Sequence, residues 1–503
     1  MFKALADYRR LLRVGTALAR HDVILPGEYH TRVPVPAKAA GAILRVLGGG
    51  ARGRPGERLA IALEKLGPAY IKLGQFLATR PDVFGVETTS DLSRLKDKLP
   101  PFSMKKAREA LREEFPGEDD ALFPELSEPI AAASLAQVHR LETEDGPKAV
   151  KILRPNVERM ISRELRAMKR AARTIERVSV ESRRLEPVAF TNTVGAAMEK
   201  ELDLRLEAGG ADELRQLALQ NDYFHIPAVD WTRSGKRVLT TDWVDGVALT
   251  DPVGLEGLDF DRTKLANDVV RGFLSFVIHE GVFHADMHEG NMIMTPEGRL
   301  ALVDFGLIGR VGLAERRFLA EILWGFIRRD YQRIAEVHFE AGYVPKDKSV
   351  GDFAQALRSV GEPIHGKAAS DVSMGRLLLQ LLDFTHTFGM RLRPELVLLQ
   401  KTMVQVEGVA RTIDPSHDIW AAAEPIVKAW ITDNLGPAGA PKLALNSVRD
   451  ITDRLKRLPD VMDKLEASLD QPAPPTTKPQ TVPWWGWMGF VLGAAAIAVW
   501  AFD

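Results

Sequence analysis

Leu265, Val269, Phe273, Phe276 and Val277 recur at helical spacing through TKLANDVVRGFLSFVIHEGVFH and predict a core helix. After residue 290 the pattern shortens. MIM and RLALVD are brief apolar runs joined by TPEG, which reads as a hairpin turning at Pro296 to Gly298. Upstream, EPIAAASLAQVHRLETEDGPKAVKILRP reads as strand, tight loop, strand, EDG turn and strand. ELDLRLEAGGADELRQL is helical in pattern, and KRVLTTDWVDG is a strand running into a hinge at about Asp242 to Gly246. LEKLGPAYIKLGQFLATRPDVF predicts an amphipathic helix with Leu66, Ala69, Leu73 and Phe76 inward. On that reading Lys72 and Gln75 form a solvated edge.

The hairpin is flanked by chemistry. Asp286, Asn291 and Asp304 stand at the spacing a kinase-type phosphoryl-transfer site uses for its base and two metal ligands. A phosphoryl group spreads charge over its oxygens, so such a site needs Mg²⁺ on oxygen ligands and a carboxylate near the nucleophile. Asp304 and Asn291 are the candidate metal ligands, and Asp286 is the group that orients or deprotonates the nucleophile. His284 and His288 flank Asp286 without the paired spacing of a zinc helix and read as supporting residues.

A nucleotide lobe can be assembled upstream. Lys151 in AVKIL is the candidate phosphate-contacting lysine, with Glu207 as its acidic partner, and adenine would meet backbone groups around Asp242 and Val244. The loop Ala131, Ala132, Ala133, Ser134 stands where a glycine-rich loop is expected. Alanines resist positive φ, so this loop would hold nucleotide in an altered pose. Glu201 and Asp203, two residues apart, point to different helix faces and need not act together.

The C-terminus carries a second signal. Val482 to Phe502 is an uncharged run of 21 residues with Trp484, Trp485 and Trp487 at one end and Trp500 at the other. As a helix rising about 1.5 Å per residue, Trp484 to Trp500 spans about 24 Å. With one more turn this crosses a bilayer core of about 30 Å, and the tryptophans fall where an aromatic belt sits. A single-pass tail anchor is the expectation; a hairpin in one leaflet or a buried terminal helix shares the pattern. QPAPPTTKPQTVP ahead of it is an extended tether. Gly489 and Gly493 form a GxxxG string that would allow a homodimer.

At the other end, MFKALADYRRLLRVGTALARHD has no apolar core segment of a secretory signal. Phe2, Leu5, Leu12 and Leu18 would share a helix face, either on anionic lipid or packed on the same domain. A 503-residue chain with 45% hydrophobic content can bury a large core. Its 67 basic and 68 acidic residues leave a net charge of −1, which gives no reason to expect nucleic acid. Zero cysteines exclude disulfides, thiolate catalysis and cysteine-ligated metals.

KLGPAYIKLGQFLATRPD, PIAAASLAQVH, AVKILRP, ELDLRLEA, FHADMHEGN and VDFG together resemble the UbiB family of atypical protein-kinase-like proteins, over about residues 60 to 310. The family's KxGQ motif falls on Lys72 and Gln75, its alanine-rich loop on Ala131 to Ser134, and its ExD pair on Glu201 and Asp203. Its lysine falls on Lys151 and its metal ligands on Asn291 and Asp304, while Glu289 stands where the family has proline. The resemblance implies ATP and Mg²⁺ as cofactors, ATPase activity, a requirement in ubiquinone biosynthesis, and an N-terminal extension folded across the site. It also implies membrane lipids and isoprenoid quinone precursors, or other quinone-biosynthesis enzymes, as partners at a bacterial inner membrane, with the catalytic part cytoplasmic.

The fold expected is α+β: a bilobal protein-kinase-like fold with a helical N-terminal extension and a C-terminal transmembrane helix. Its parts are an extension over 1–120, an N-lobe over 121–246, a mostly helical C-lobe over 247–470, a tether over 471–483 and an anchor over 484–502. RLLLQLLDFTHTFGMRLRPELVLLQKTMVQVEGVA, the most apolar stretch after residue 330, either completes the C-lobe or lines a lipid-facing groove. Ala285 replaces the arginine that reads a phosphorylated activation loop, and residues 307–330 hold no Ser, Thr or Tyr. Water or a small hydroxyl is therefore the expected acceptor, in an ATPase or a small-molecule or lipid kinase; a nucleotide-sensing scaffold is the non-enzymatic alternative.

Overall fold

A computed structural model of the chain describes residues 2–21, 23, 53–78, 86–92, 95, 99–178, 186–363, 387–390 and 394–436. They form two compact units, one taking the chain to Gly210 and again Ala228–Trp243, the other taking Ala211–Pro227 and the chain from Val244. The expected tether and anchor, and the part of the C-lobe after 436, lie outside the described residues. Among the described residues no helix is long and apolar enough to cross a membrane.

The first unit opens with α1 (Phe2–Arg20), α2 (Pro55–Leu66), α3 (Pro68–Leu77) and α4 (Val86–Leu92). α1 packs on its own unit and turns differently from the expected face: Leu11 and Leu18 are buried, while Leu12 is 43% exposed. Ion pairs set that rotation. Glu164, 7% exposed, accepts from Tyr70 Oη at 2.9 Å and Arg13 at 3.1 Å, and Asp7 is buried between Arg10 and Arg170.

The amphipathic helix expected across residues 64–77 is two helices. Gly67 adopts φ 101° and ψ −171°, a conformation open essentially to glycine alone, and Pro68 starts α3. The rotation of α3 shifts with the break. Its buried face is Ala69, Tyr70, Ile71 and Gly74, while Leu73 and Phe76 are only half-buried.

α5 (Met104–Glu114) and α6 (Asp119–Leu122) precede a four-stranded antiparallel sheet in the order β1 (Ala131–Ala132), β2 (Ala136–Leu141), β3 (Lys148–Leu153), β5 (Val238–Asp242). Strand alternation gives the sheet two apolar faces. Leu141, Val150, Ile152 and Val238 pack with Ala107, Leu111 and Phe123, whereas Leu153 and Leu239 join a core with α2, α3, α7 (Val157–Val178) and α8 (Pro187–Glu201). The N-terminal helices thus share a core with the sheet. The helix expected over ELDLRLEAGG is also interrupted: α8 ends at Glu201 and α9 (Leu204–Asn221) starts beyond Asp203.

In the second unit, β4 (Phe224–His225), β9 (Leu300–Leu302), β8 (Met292–Met294) and β6 (Val247–Ala248) form a sheet in that order, with β4 parallel to β9. The hairpin pairs Met292 with Leu302 and Met294 with Leu300, and Gly298 takes φ 75° in its turn. After α10 (Pro252–Glu256), α11 (Arg262–Leu274) is capped by Asp261, whose side chain accepts from Lys264 N–H at 2.8 Å. The expected core positions are buried, and the helix continues as a π turn over Ser275–Glu280 into β7 (Val282–His284). β10 (Ile308–Arg310) pairs antiparallel with β7.

Helices complete this unit: α12 (Leu313–Arg328), α13 (Tyr331–Glu340), α14 (Val350–Gly361), α15 (Pro394–Ile413) and α16 (Ile419–Leu435). α15 and α16 pack on α11, so the apolar 394–413 stretch completes the body of this unit.

Candidate functional site

Each unit carries one group of the expected residues. In the first, Lys151 projects from the face of β3 that also carries Leu153, opposite Val150 and Ile152. Its Nζ donates to Glu207 Oε1 at 2.7 Å, and Glu207 is 8% exposed. A buried carboxylate with a lysine at hydrogen-bond distance is a pair that neither partner leaves cheaply. Glu207 sits in the first turn of α9, where a negative charge also suits the helix N-terminus.

One residue each of the KxGQ and ExD motifs meet just ahead of that turn. Lys72 of α3 pairs with Glu201 at 2.8 Å, and its side chain is 15% exposed, so the solvated edge expected for it is corrected. Gln75 is half-buried one turn further along α3. Asp203 acts separately. It stands at the start of α9, accepts from Arg205 N–H at 3.2 Å and pairs with the Arg205 guanidinium at 2.6 Å, which holds its carboxyl below the usual range. Glu201 and Asp203 diverge because a helix boundary lies between them. Gly74 has a packing reason: a Cβ there would collide with Leu95 Cδ1.

The alanine loop is closed on itself. Ala131 and Ala132 pair with Val138 and Gln137, and Ala133 N–H donates to the Ala136 carbonyl at 2.8 Å. No residue of the loop has positive φ. Arg154 clamps the Ala133 carbonyl through Nε at 3.0 Å and a terminal nitrogen at 2.7 Å. Ser134 is fully buried, and its hydroxyl has no hydrogen-bond partner among the described residues. At the end of β5, Asp242 donates its N–H to Ala228 at 2.9 Å and accepts from Lys148 at 2.7 Å; Val244 begins the second unit.

In the second unit, one histidine organises the catalytic loop. His284, 1% exposed, donates from Nε2 to the Asp304 carbonyl at 2.6 Å and accepts Asp286 N–H on Nδ1 at 3.1 Å. Burial pushes its pKa down, which suits this neutral tautomer. Asp304 sits at φ 70°, a left-handed conformation rare for aspartate. Val303 N–H donates to the Asn291 carbonyl at 3.0 Å, tying the ends of the hairpin together. Asn291 Nδ2 donates to the Asp286 carbonyl at 3.0 Å, leaving Oδ1 as the amide's acceptor end.

Asp286 has partners the sequence reading missed. Lys401 Nζ and Gln405 Nε2, both on α15, donate to its Oδ1 at 3.0 Å each. Burial alone would push the Asp286 carboxyl up; the Lys401 charge and the Gln405 hydrogen bond outweigh it, with help from His288, and hold it below the usual range. The sequence signal for α15 was the polar set Lys401, Thr402 and Gln405 following the apolar run Leu396 to Leu399. Glu289 bonds to Thr412 at 2.5 Å.

Among the described residues no group of three or more His, Asp or Glu is arranged to hold a metal. Asn291, with its Oδ1 as the acceptor end of the amide, and Asp304 would offer two oxygen ligands to Mg²⁺. That is the usual share for Mg²⁺, which keeps waters and phosphate oxygens as its other ligands.

Known proteins resemble the chain over most of its length. Residues 94–338 match the ABC1 atypical kinase-like domain and residues 357–418 the UbiB helical domain. The chain is 35% identical over 413 residues to a probable protein kinase UbiB of Marinobacter nauticus, covering 81% of this chain and 76% of the relative. It is 34% identical over 452 residues to its counterpart in Pseudomonas aeruginosa, covering 88% and 84%. Among solved structures, the complex of Rv3197 with erythromycin from Mycobacterium tuberculosis aligns with a TM-score of 0.50 at 22% identity, over 78% of this chain and 96% of that one. The fold is protein-kinase-like.

Proposed function

Since the chain belongs to the UbiB family of atypical kinase-like proteins, we propose that it hydrolyses Mg-ATP at a membrane in support of ubiquinone biosynthesis. The observation that carries this reading is the His284-centred loop, which braces Asp286 against the hairpin that carries Asn291 and Asp304 at its ends. Asn291 and Asp304 would hold Mg²⁺, which when bound neutralises charge on the phosphate oxygens. Asp286 takes the proton of the nucleophile. Lys151, kept in place by Glu207, contacts the phosphates of the nucleotide.

Hydrolysis suits this chain better than protein phosphorylation. Ala285 is fully buried beneath α15, and β10 leads within three residues into α12, which leaves little room for a peptide-docking segment. The alanine loop supports the same reading. With Ala133 N–H and carbonyl both engaged, it presents a stiff backbone to the nucleotide rather than a wrapping one. The uncharged run at 482–502 is the proposed anchor that confines this activity to a membrane surface holding quinone precursors.

The test combines chemistry with physiology. Purified full-length protein should release labelled γ-phosphate from ATP as free phosphate, and Asp304→Asn should abolish that release and lower ubiquinone in a strain relying on it. Label appearing instead in a membrane extract would establish a lipid or small-molecule kinase. Normal ubiquinone in a deletion strain would remove the biosynthetic role.

A further inference from the structure

The catalytic loop is held from the side by one helix. Lys401 and Gln405 both reach Asp286 Oδ1, Thr402 Oγ1 donates to the Ala285 carbonyl at 3.2 Å, and Thr412 Oγ1 donates to Glu289. Positions 401, 405 and 412 are separated by four and seven residues, which returns them to one face of α15. Thr402, beside them, is fully buried. The contacts fall on three residues of a seven-residue loop, Ala285, Asp286 and Glu289.

The arrangement divides the Asp286 carboxylate into two unlike oxygens. Oδ1 is taken by two donors, whereas among the described residues Oδ2 has only His288 Nε2, at 3.5 Å. From Ala285 to Asn291 the loop contains no lysine or arginine of its own, so α15 supplies the cation beside the carboxylate. The Lys401 side chain is 41% exposed, which leaves further N–H groups facing solvent. Gln405 Oε1 is buried and has no hydrogen-bond partner among the described residues, an acceptor next to Asp286 that calls for a donor.

We propose that Lys401 and Gln405 are the positioning residues of this active site, fixing Asp286 through Oδ1 so that Oδ2 alone receives the nucleophile's proton. The inference rests on the ATP-hydrolysing reading above. In the reaction, the oxygen of water forms its bond to the γ-phosphorus as the bond from that phosphorus to the bridging oxygen of ADP breaks. One water proton passes to Asp286 Oδ2, and the other stays on the oxygen now bound to phosphorus. Lys401 keeps the carboxylate from rotating, so that Oδ2 stays turned toward the water.

The experiment measures kcat and KM for ATP on the full-length protein with Lys401→Met, Lys401→Arg, Gln405→Ala, Asp286→Asn and the Asp286→Asn/Lys401→Met double variant, each checked by thermal melt. Lys401→Met should lower kcat about 10-fold or more with KM shifted less than about 3-fold, and Lys401→Arg should recover most of the rate. Added to Asp286→Asn, Lys401→Met should cost nothing further, because the lysine acts through the carboxylate. Equal losses in both backgrounds, or Lys401→Met within about 2-fold of wild type, overturn the inference while wild-type hydrolysis leaves the functional reading standing. If Lys401→Met melts early, Gln405→Ala decides by the same criteria. A wild-type protein that hydrolyses no ATP overturns both.

Discussion

Glu207 shows how tightly function and stability are joined at single residues. It is 8% exposed with Lys151 at 2.7 Å, so Lys151→Met takes a cation away from a buried carboxylate besides removing the proposed phosphate contact. We expect ATP hydrolysis to fall about 100-fold or more and urea denaturation to show a loss of about 3 kcal/mol. A second residue gives a pH test away from the site. His338 is buried against Phe353 and Tyr343, donates Nδ1–H to the Ile334 carbonyl at 2.8 Å, and has its pKa pushed down to about 4 by burial. An unfolded histidine takes up a proton near pH 6.5, so between that pH and about 4 the unfolded state binds more protons and acidification costs stability. The loss should approach 3 kcal/mol on the order of magnitude and then level off. Urea midpoints from pH 7 to 4.5 should fall less steeply in His338→Gln; an unchanged slope would refute the assignment. The residues legible in sequence were those whose spacing is local, Asp286, Asn291 and Asp304 across one hairpin. Lys401 and Gln405 were not, because they meet Asp286 from 115 and 119 positions away, a distance that periodicity does not bridge.

At the scale of elements, periodicity found the helices and missed where they stop. Leu66, Ala69, Leu73 and Phe76 carry helical spacing across residue 67. The backbone there takes a conformation that side chains strongly oppose. A Cβ at Gly67 would meet nothing within 4 Å, so Gly67→Ala isolates conformational cost from packing. Equilibrium unfolding should register roughly 1–3 kcal/mol of destabilisation, and a neutral result would mean that the break is soft. Gly74→Ala tests the opposite case, since its Cβ would collide with Leu95 and Leu63; overpacking should cost about 1–3 kcal/mol in the same assay. The ExD pair teaches a related lesson. Sequence spacing separated Glu201 from Asp203 by helix face, but a helix terminus and a helix start divide them, and their partners Lys72 and Arg205 differ accordingly. Strands and turns read more directly, because Gly146 and Gly298 occupy positive-φ positions that only a few residue types tolerate.

For the whole molecule, the charge balance of −1 gives no net field that would gather a polyanion, and the tail proposed above is what would hold the chain at a membrane. A chain ended after residue 470 should therefore leave the membrane fraction on cell fractionation while keeping its Mg-ATP thermal shift. Retention of the shortened chain on membranes would place the attachment elsewhere. Within the second unit, the helix running beside the catalytic loop has a bearing on how this architecture can change. Thr402, Gln405, Lys401 and Thr412 reach three loop residues, so the loop and the helical segment are a matched set rather than interchangeable cassettes. A chimera that imports the loop of a conventional kinase would put a bulky arginine at position 285 against a fully buried threonine. One that imports a foreign helical segment would leave Asp286 Oδ1 without its donors. The two can be exchanged only together.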